Sequence, residues 1–163
     1  MKKLLPLFLI ICLLTGCGDM KDYYSTPAES YQKGFKDSHT VRREIDCIEL
    51  DDNYAFWLAI VDTADGPRII EALTEVKKEH YRVIDRSHLV DLSTASTYSL
   101  KEGDIAWNVV PVDNRYALGW VWANPESVSG AMREKYDCKD YLIQEDGKDY
   151  SATLIYYFMD LQG

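Results

Sequence analysis

The chain has 163 residues, 47% hydrophobic and 28% charged, with 27 aspartates and glutamates against 18 lysines and arginines and a net charge of −9. That length suits one domain able to bury a real core. The acidity repels nucleic acid and anionic lipid headgroups; it attracts a cationic partner, or simply keeps a crowded domain soluble.

The chain opens with Lys2 and Lys3, an apolar run from Leu4 to Leu14, and then Thr15-Gly16-Cys17. The run is too short for a spanning helix, which needs about 20 apolar residues, and it contains Pro6. Basic start, short apolar segment, small residues and then cysteine resemble a bacterial lipoprotein signal peptide. The resemblance implies cleavage before Cys17, acylation of its thiol and new amino group, and stable membrane anchoring by more than one acyl chain. Residues 1–16 are then the signal peptide, 17–30 the lipidated cysteine and a polar tether, and 31–163 a single globular domain. Loss of Lys2 and Lys3 takes the net charge from −9 to −11. Gly18, rather than aspartate, follows Cys17, which implies the outer membrane facing the periplasm if the source has two membranes. Otherwise the domain sits on the outer face of the cell membrane. In that oxidising compartment Cys47 and Cys138, the two cysteines left after Cys12 and Cys17, are expected to form a disulfide. The closed loop would stabilise by roughly 4–5 kcal/mol in the chain-entropy model.

Pro27 to about Ser38 reads as a weak helix with Tyr31 and Phe35 on one face. Val41 to Leu50 reads as a strand carrying Val41, Ile45 and Cys47 on one side. Tyr54 to Val61 is the most apolar run and is core, read as a buried strand although its period also permits a helix. Thr63 to Pro67 is a turn. Pro67 to Tyr81 reads as a helix with Ile69, Leu73, Val76 and His80 as its buried stripe. Residues 82–85 and 89–92 are short strand candidates, and Ser93 to Ser99 is a polar loop. Ile105–Val112 and Tyr116–Ala123 read as a hairpin. Asn124-Pro125 opens a helix to about Tyr136. Tyr141–Gln144 and Tyr150–Met159 flank Asp146-Gly147, a strong hairpin signal. The expected class is therefore α+β: a small antiparallel sheet packed with two or three helices, with one disulfide.

His39, His80 and His88 have no metal-ligand spacing, and no phosphate loop, nucleophile elbow or calcium loop occurs, so neither metal nor cofactor is expected. Asp46-Cys47 and, further on, Leu100-Lys101-Glu102-Gly103-Asp104-Ile105 are faintly similar to papain-like cell-wall cysteine peptidases. That family needs a histidine after the Gly-Asp turn, and every histidine here precedes Gly103. Glu44, Asp46 and Glu49 also disfavour a Cys47 thiolate. Trp107, Trp120 and Trp122 are the candidate binding surface, since rings on a sheet can take sugars or anchor a protein. The competing reading is that they fill the core. The expected function is a membrane-anchored, non-enzymatic interaction module whose partner is an envelope protein, with a cell-wall-directed papain-like cysteine hydrolase or its inactive relative, or a structural part of an envelope complex, as alternatives.

Overall fold

The computed structural model describes residues 22–36, 38–87, 89–100, 108–112 and 115–161. Cys17, the signal-like stretch, His88 and Trp107 lie outside these residues. The described elements are α1 (Pro27–Gly34), β1 (Thr40–Glu49), β2 (Tyr54–Thr63), β3 (Gly66–Lys77), β4 (His80–Arg86), β5 (Val90–Asp91), α2 (Leu92–Thr97), β6 (Asn108–Val112) and β7 (Tyr116–Ala123). A 3-10 turn (Pro125–Ser127), α3 (Gly130–Lys135), β8 (Asp137–Glu145) and β9 (Lys148–Asp160) follow.

The strands form two antiparallel sheets. The first has the order β1-β2-β3-β4, with β5 continuing the β4 side of β3 at Arg68 and Ile69. The second has the order β6-β7-β9-β8. Their inner faces share one core. Ile48, Phe56, Leu58, Ile60, Ile69 and Leu73 come from the first sheet, and Leu118, Trp120, Trp122, Ile143 and Leu154 from the second. Each such aliphatic or aromatic side chain contributes roughly 1.5–3 kcal/mol when fully buried. Both outer faces are covered as well. Helix α1 lays Tyr31 against Trp57, ring centroids 5.7 Å apart, over Ala59, Val61, Ile70 and Ala72. On the second sheet Leu100, Val128 and Met132 cover Ala123 and Ile155.

This architecture corrects the expected α+β class. The protein is a two-sheet antiparallel sandwich with short helices at its margins. The main cause is the segment read as a helix from Pro67 to Tyr81, which is strand β3, a tight turn and the start of β4. Ile69 and Leu73 face the inter-sheet core, while Ile70 and Ala72 face α1. A strand buried on both faces loses its alternation, and its continuous apolar run can mimic a helical stripe. The turn hides too. Lys78 and Glu79 both adopt positive φ (50° and 62°), which hairpin turns usually reserve for Gly or Asn. His80, placed in the buried stripe, is exposed.

Smaller differences have local causes. Bulges at Arg42 and Ile45 shift the β1 register. Val41 and Cys47 therefore face outward under α1, whereas Ile45 and Ile48 turn inward. Ser93 to Ser99 is largely helix α2, because the Asp91 carboxylate caps the backbone N–H groups of Ser93 and Thr94. The expected helix from Asn124 is split, since Ser129 caps a new start at Gly130. Part of the segment read as tether packs on the domain: Tyr24 bridges to Tyr81, and the Ser30 hydroxyl accepts the buried Val83 N–H at 2.8 Å. Beta strand β2, the β6–β7 hairpin and the Asp146-Gly147 hairpin lie where the pattern placed them.

The expected disulfide is absent. Cys47 and Cys138 are both free thiols. Cys47 pairs with Trp57 on the outer face of the first sheet, and Cys138 pairs with Ile155 on the outer face of the second. Both sheets lie between them. Packed sheets are about 10 Å apart, beyond the reach of a disulfide. No helix among the described residues is long and apolar enough to cross a membrane.

Candidate functional site

Trp120 and Trp122 are 2% and 5% exposed and belong to the inter-sheet core. Trp120 packs on Phe56 at 5.1 Å between centroids, and Trp122 on Tyr141 at 5.5 Å. They present no binding face. Their strand neighbours Gly119 and Val121 point the other way, toward the outer side of the second sheet, where the Tyr157 ring lies over Gly119.

A well-formed concavity lies elsewhere, where β1 turns into β2. A cleft of about 550 Å³ is lined by Cys47, Glu49, Leu50, Asp51, Asp52, Tyr54, Ala55, Val76 and Tyr81. Local chemistry builds it. The Asp51 carboxylate accepts from the backbone N–H groups of Asn53 (2.8 Å) and Tyr54 (2.9 Å), which folds the turn over the sheet. The Val76 N–H reaches the Asn53 carbonyl at 2.7 Å and ties the turn to β3. Tyr81 is fixed by paired backbone bonds with Tyr24, at 2.8 and 2.9 Å. Glu49 and Asp52 are exposed, so the rim is negative.

The surrounding charge is one-sided. Burial, and then the carboxylates of Glu44, Asp46 and Glu49, push the Cys47 thiol up to about 11. Burial, followed by Cys47, Glu49, Glu79 and Glu44, also raises the Tyr81 phenol. A thiol so held is almost wholly protonated at neutral pH and is a poor nucleophile. Cys138 is raised too, by burial first, so neither thiol is activated. Behind the cleft, Trp57 Nε1 and Thr74 Oγ1 are buried without a hydrogen-bond partner among the described residues. Register sets Trp57 opposite Cys47, and Thr74 opposite Ala55. No group of three or more histidine, cysteine, aspartate or glutamate side chains that could hold a metal occurs among the described residues.

A second polar feature crosses the core. Glu71 is fully buried between the sheets. Its Oε1 accepts from Trp122 Nε1 at 2.6 Å, and its Oε2 accepts from the Ser87 hydroxyl. Burial pushes this carboxyl up to about 7, against the opposing pull of the Ser87 and Trp122 donors. Sequence reasoning missed it because a helical reading of 67–81 puts Glu71 on the solvent side. The available signal was a lone acid inside Ile69-Ile70-Glu71-Ala72-Leu73.

Comparison with known protein families and with curated proteins finds no match. The cleft and the buried acid therefore stand on their own chemistry.

Proposed function

We propose that this protein is a non-enzymatic binding module, anchored in the cell envelope through Cys17, that takes a cationic segment of an envelope protein into the cleft beside Cys47. The observation carrying this reading is the cleft itself: it is roomy enough for extended side chains and lined by Glu49, Asp51 and Asp52, with no lysine or arginine in its lining among the described residues. An overall charge of −9 adds a long-range attraction for the same partner. The depressed acidity of the Cys47 thiol favours binding over cysteine-peptidase chemistry at this position.

The test is a titration of the full chain with an oligo-arginine peptide and with an uncharged peptide of equal length. The cationic peptide should bind, and binding should weaken as salt rises. Glu49→Gln combined with Asp52→Asn should weaken it by roughly fivefold or more, as loss of two exposed ion pairs would. Equal binding of both peptides, or an unchanged affinity in the double variant, would overturn the reading.

A further inference from the structure

A carboxyl group with no exposed surface is costly to ionise unless a cation faces it. The groups around Glu71 supply none among the described residues. Leu58 faces it from β2, and Trp120 and Trp122 lie across the core on β7. Leu92 and Ala95 of α2 enter the same core, and Ser87 comes from the end of β4. On β3, Arg68 is engaged by Asp91 of β5, and Glu75 by Arg82 of β4. Arg86 is on the opposite face, stacked over Phe35 at 4.6 Å. Asp46, on the far side of Tyr141, is bonded to Lys139 and to the Tyr141 hydroxyl.

The neutral acid satisfies every partner. Its Oε1 still accepts from Trp122, while a proton on Oε2 donates to Ser87 Oγ, whose oxygen also receives the Glu71 N–H at 3.4 Å. The ionised form keeps both contacts but leaves a full charge among apolar side chains. Trp120 Nε1, in the same core, is buried without a hydrogen-bond partner among the described residues. Ser87, at the other end of the contact, is half-buried.

We propose that Glu71 is a proton-operated switch on this end of the sandwich: neutral, it joins Ser87 to Trp122 across the two sheets at little cost, and ionised, it sets an unpaired charge in the core that destabilises the packing of the two sheets. The sign is unusual for a carboxylate. Its folded-state value, about 7, lies above its ordinary 4.5. The stability it contributes is full below pH 4.5 and is lost as pH rises toward and through 7.

The test uses the full chain labelled with ¹³C-glutamate. One carboxyl resonance should titrate with a midpoint near pH 7, accompanied by a shift of the Trp122 indole N–H. The melting temperature should fall between pH 5 and 8. Glu71→Gln should lose both the resonance and that fall. Ser87→Ala, which removes a donor to the charged form, should move the midpoint to higher pH, and it serves if Glu71→Gln does not fold. All glutamates titrating below pH 5.5, an unmoved midpoint in Ser87→Ala, or parallel melting profiles for the wild type and Glu71→Gln would each overturn the proposal.

Discussion

The Tyr157 ring fills the space that a side chain at Gly119 would need: a Cβ there would sit 2.2 Å from Cε1 and 2.6 Å from the phenol oxygen. Gly119 lies mid-strand in β7, directly across from Tyr157 in β9. A glycine is usually a weakness there, and the ring laid over it restores packing.

Gly119→Ala should therefore expel the ring and destabilise the protein by about 1–3 kcal/mol. In a Tyr157→Ala background the same change should cost much less. Urea denaturation midpoints for the four chains of the cycle measure the coupling. Equal costs in the two backgrounds would mean that the contact is energetically idle.

The two thiols on opposite outer faces make a clear covalent prediction. Cys47 and Cys138 should both be alkylated in unreduced, denatured protein, and reductant should leave the melting temperature unchanged. In the native state at pH 8, Cys47 should react slowly, because its thiol is pushed up to about 11 by burial and by its acidic neighbours. Peptide mapping that finds the two cysteines joined would refute the strand placement itself.

Glu145 is 7% exposed and receives Arg42 at 2.9 Å and Arg43 at 2.8 Å, so it latches β1 of one sheet to β8 of the other. Glu145→Ala should cost about 1–3 kcal/mol, because two charge-assisted bonds are lost. The arginines are half-exposed and can recover water, which keeps the cost below that of a fully buried pair. A double-mutant cycle with Arg43→Ala should show favourable coupling; additive costs would assign the latch no energy.

At the same seam burial raises the Asp46 carboxyl, but the Lys139 ammonium (2.6 Å) and the Tyr141 hydroxyl (2.7 Å) outweigh it and hold the group below its ordinary value. Its contribution is present above the usual aspartate range and disappears as pH falls through the lowered value. Lys139→Met should therefore flatten the loss of melting temperature between about pH 4 and pH 2, in the range where native-state carboxylates are protonated. A residual slope should remain, since Asp140 is likewise lowered, first by Arg133. An unchanged slope in Lys139→Met would show that this ion pair does not couple to folding.

The legible parts of the fold were those with local punctuation. Asp146-Gly147 has φ values of 50° and 74°, the left-handed pair a two-residue hairpin requires, and that pairing is visible as a dipeptide. Pro27 following Thr26 marked α1, where the Thr26 hydroxyl caps the Glu29 N–H at 3.1 Å. The Lys78-Glu79 turn gave no such mark, and with it went the β3–β4 hairpin and the fold class. The cleft was not legible: nothing local says that Val76 and Tyr81 would close a wall against the turn at Asp51 and Asp52.

Amino-acid order alone determined the acidic character of the chain, the strands with strict turn signals and the hydrophobic runs that had to be buried, because each depends on residues near one another along the backbone. Which faces those runs would find was a tertiary decision. The same alternation that makes Cys47 and Cys138 neighbours of apolar residues sends them to opposite sides of two stacked sheets, and it drives Glu71 inward to Trp122. Strand direction repeats every two residues, so a single bulge or an unmarked turn reverses which side chains meet, and only the assembled sheets settle it.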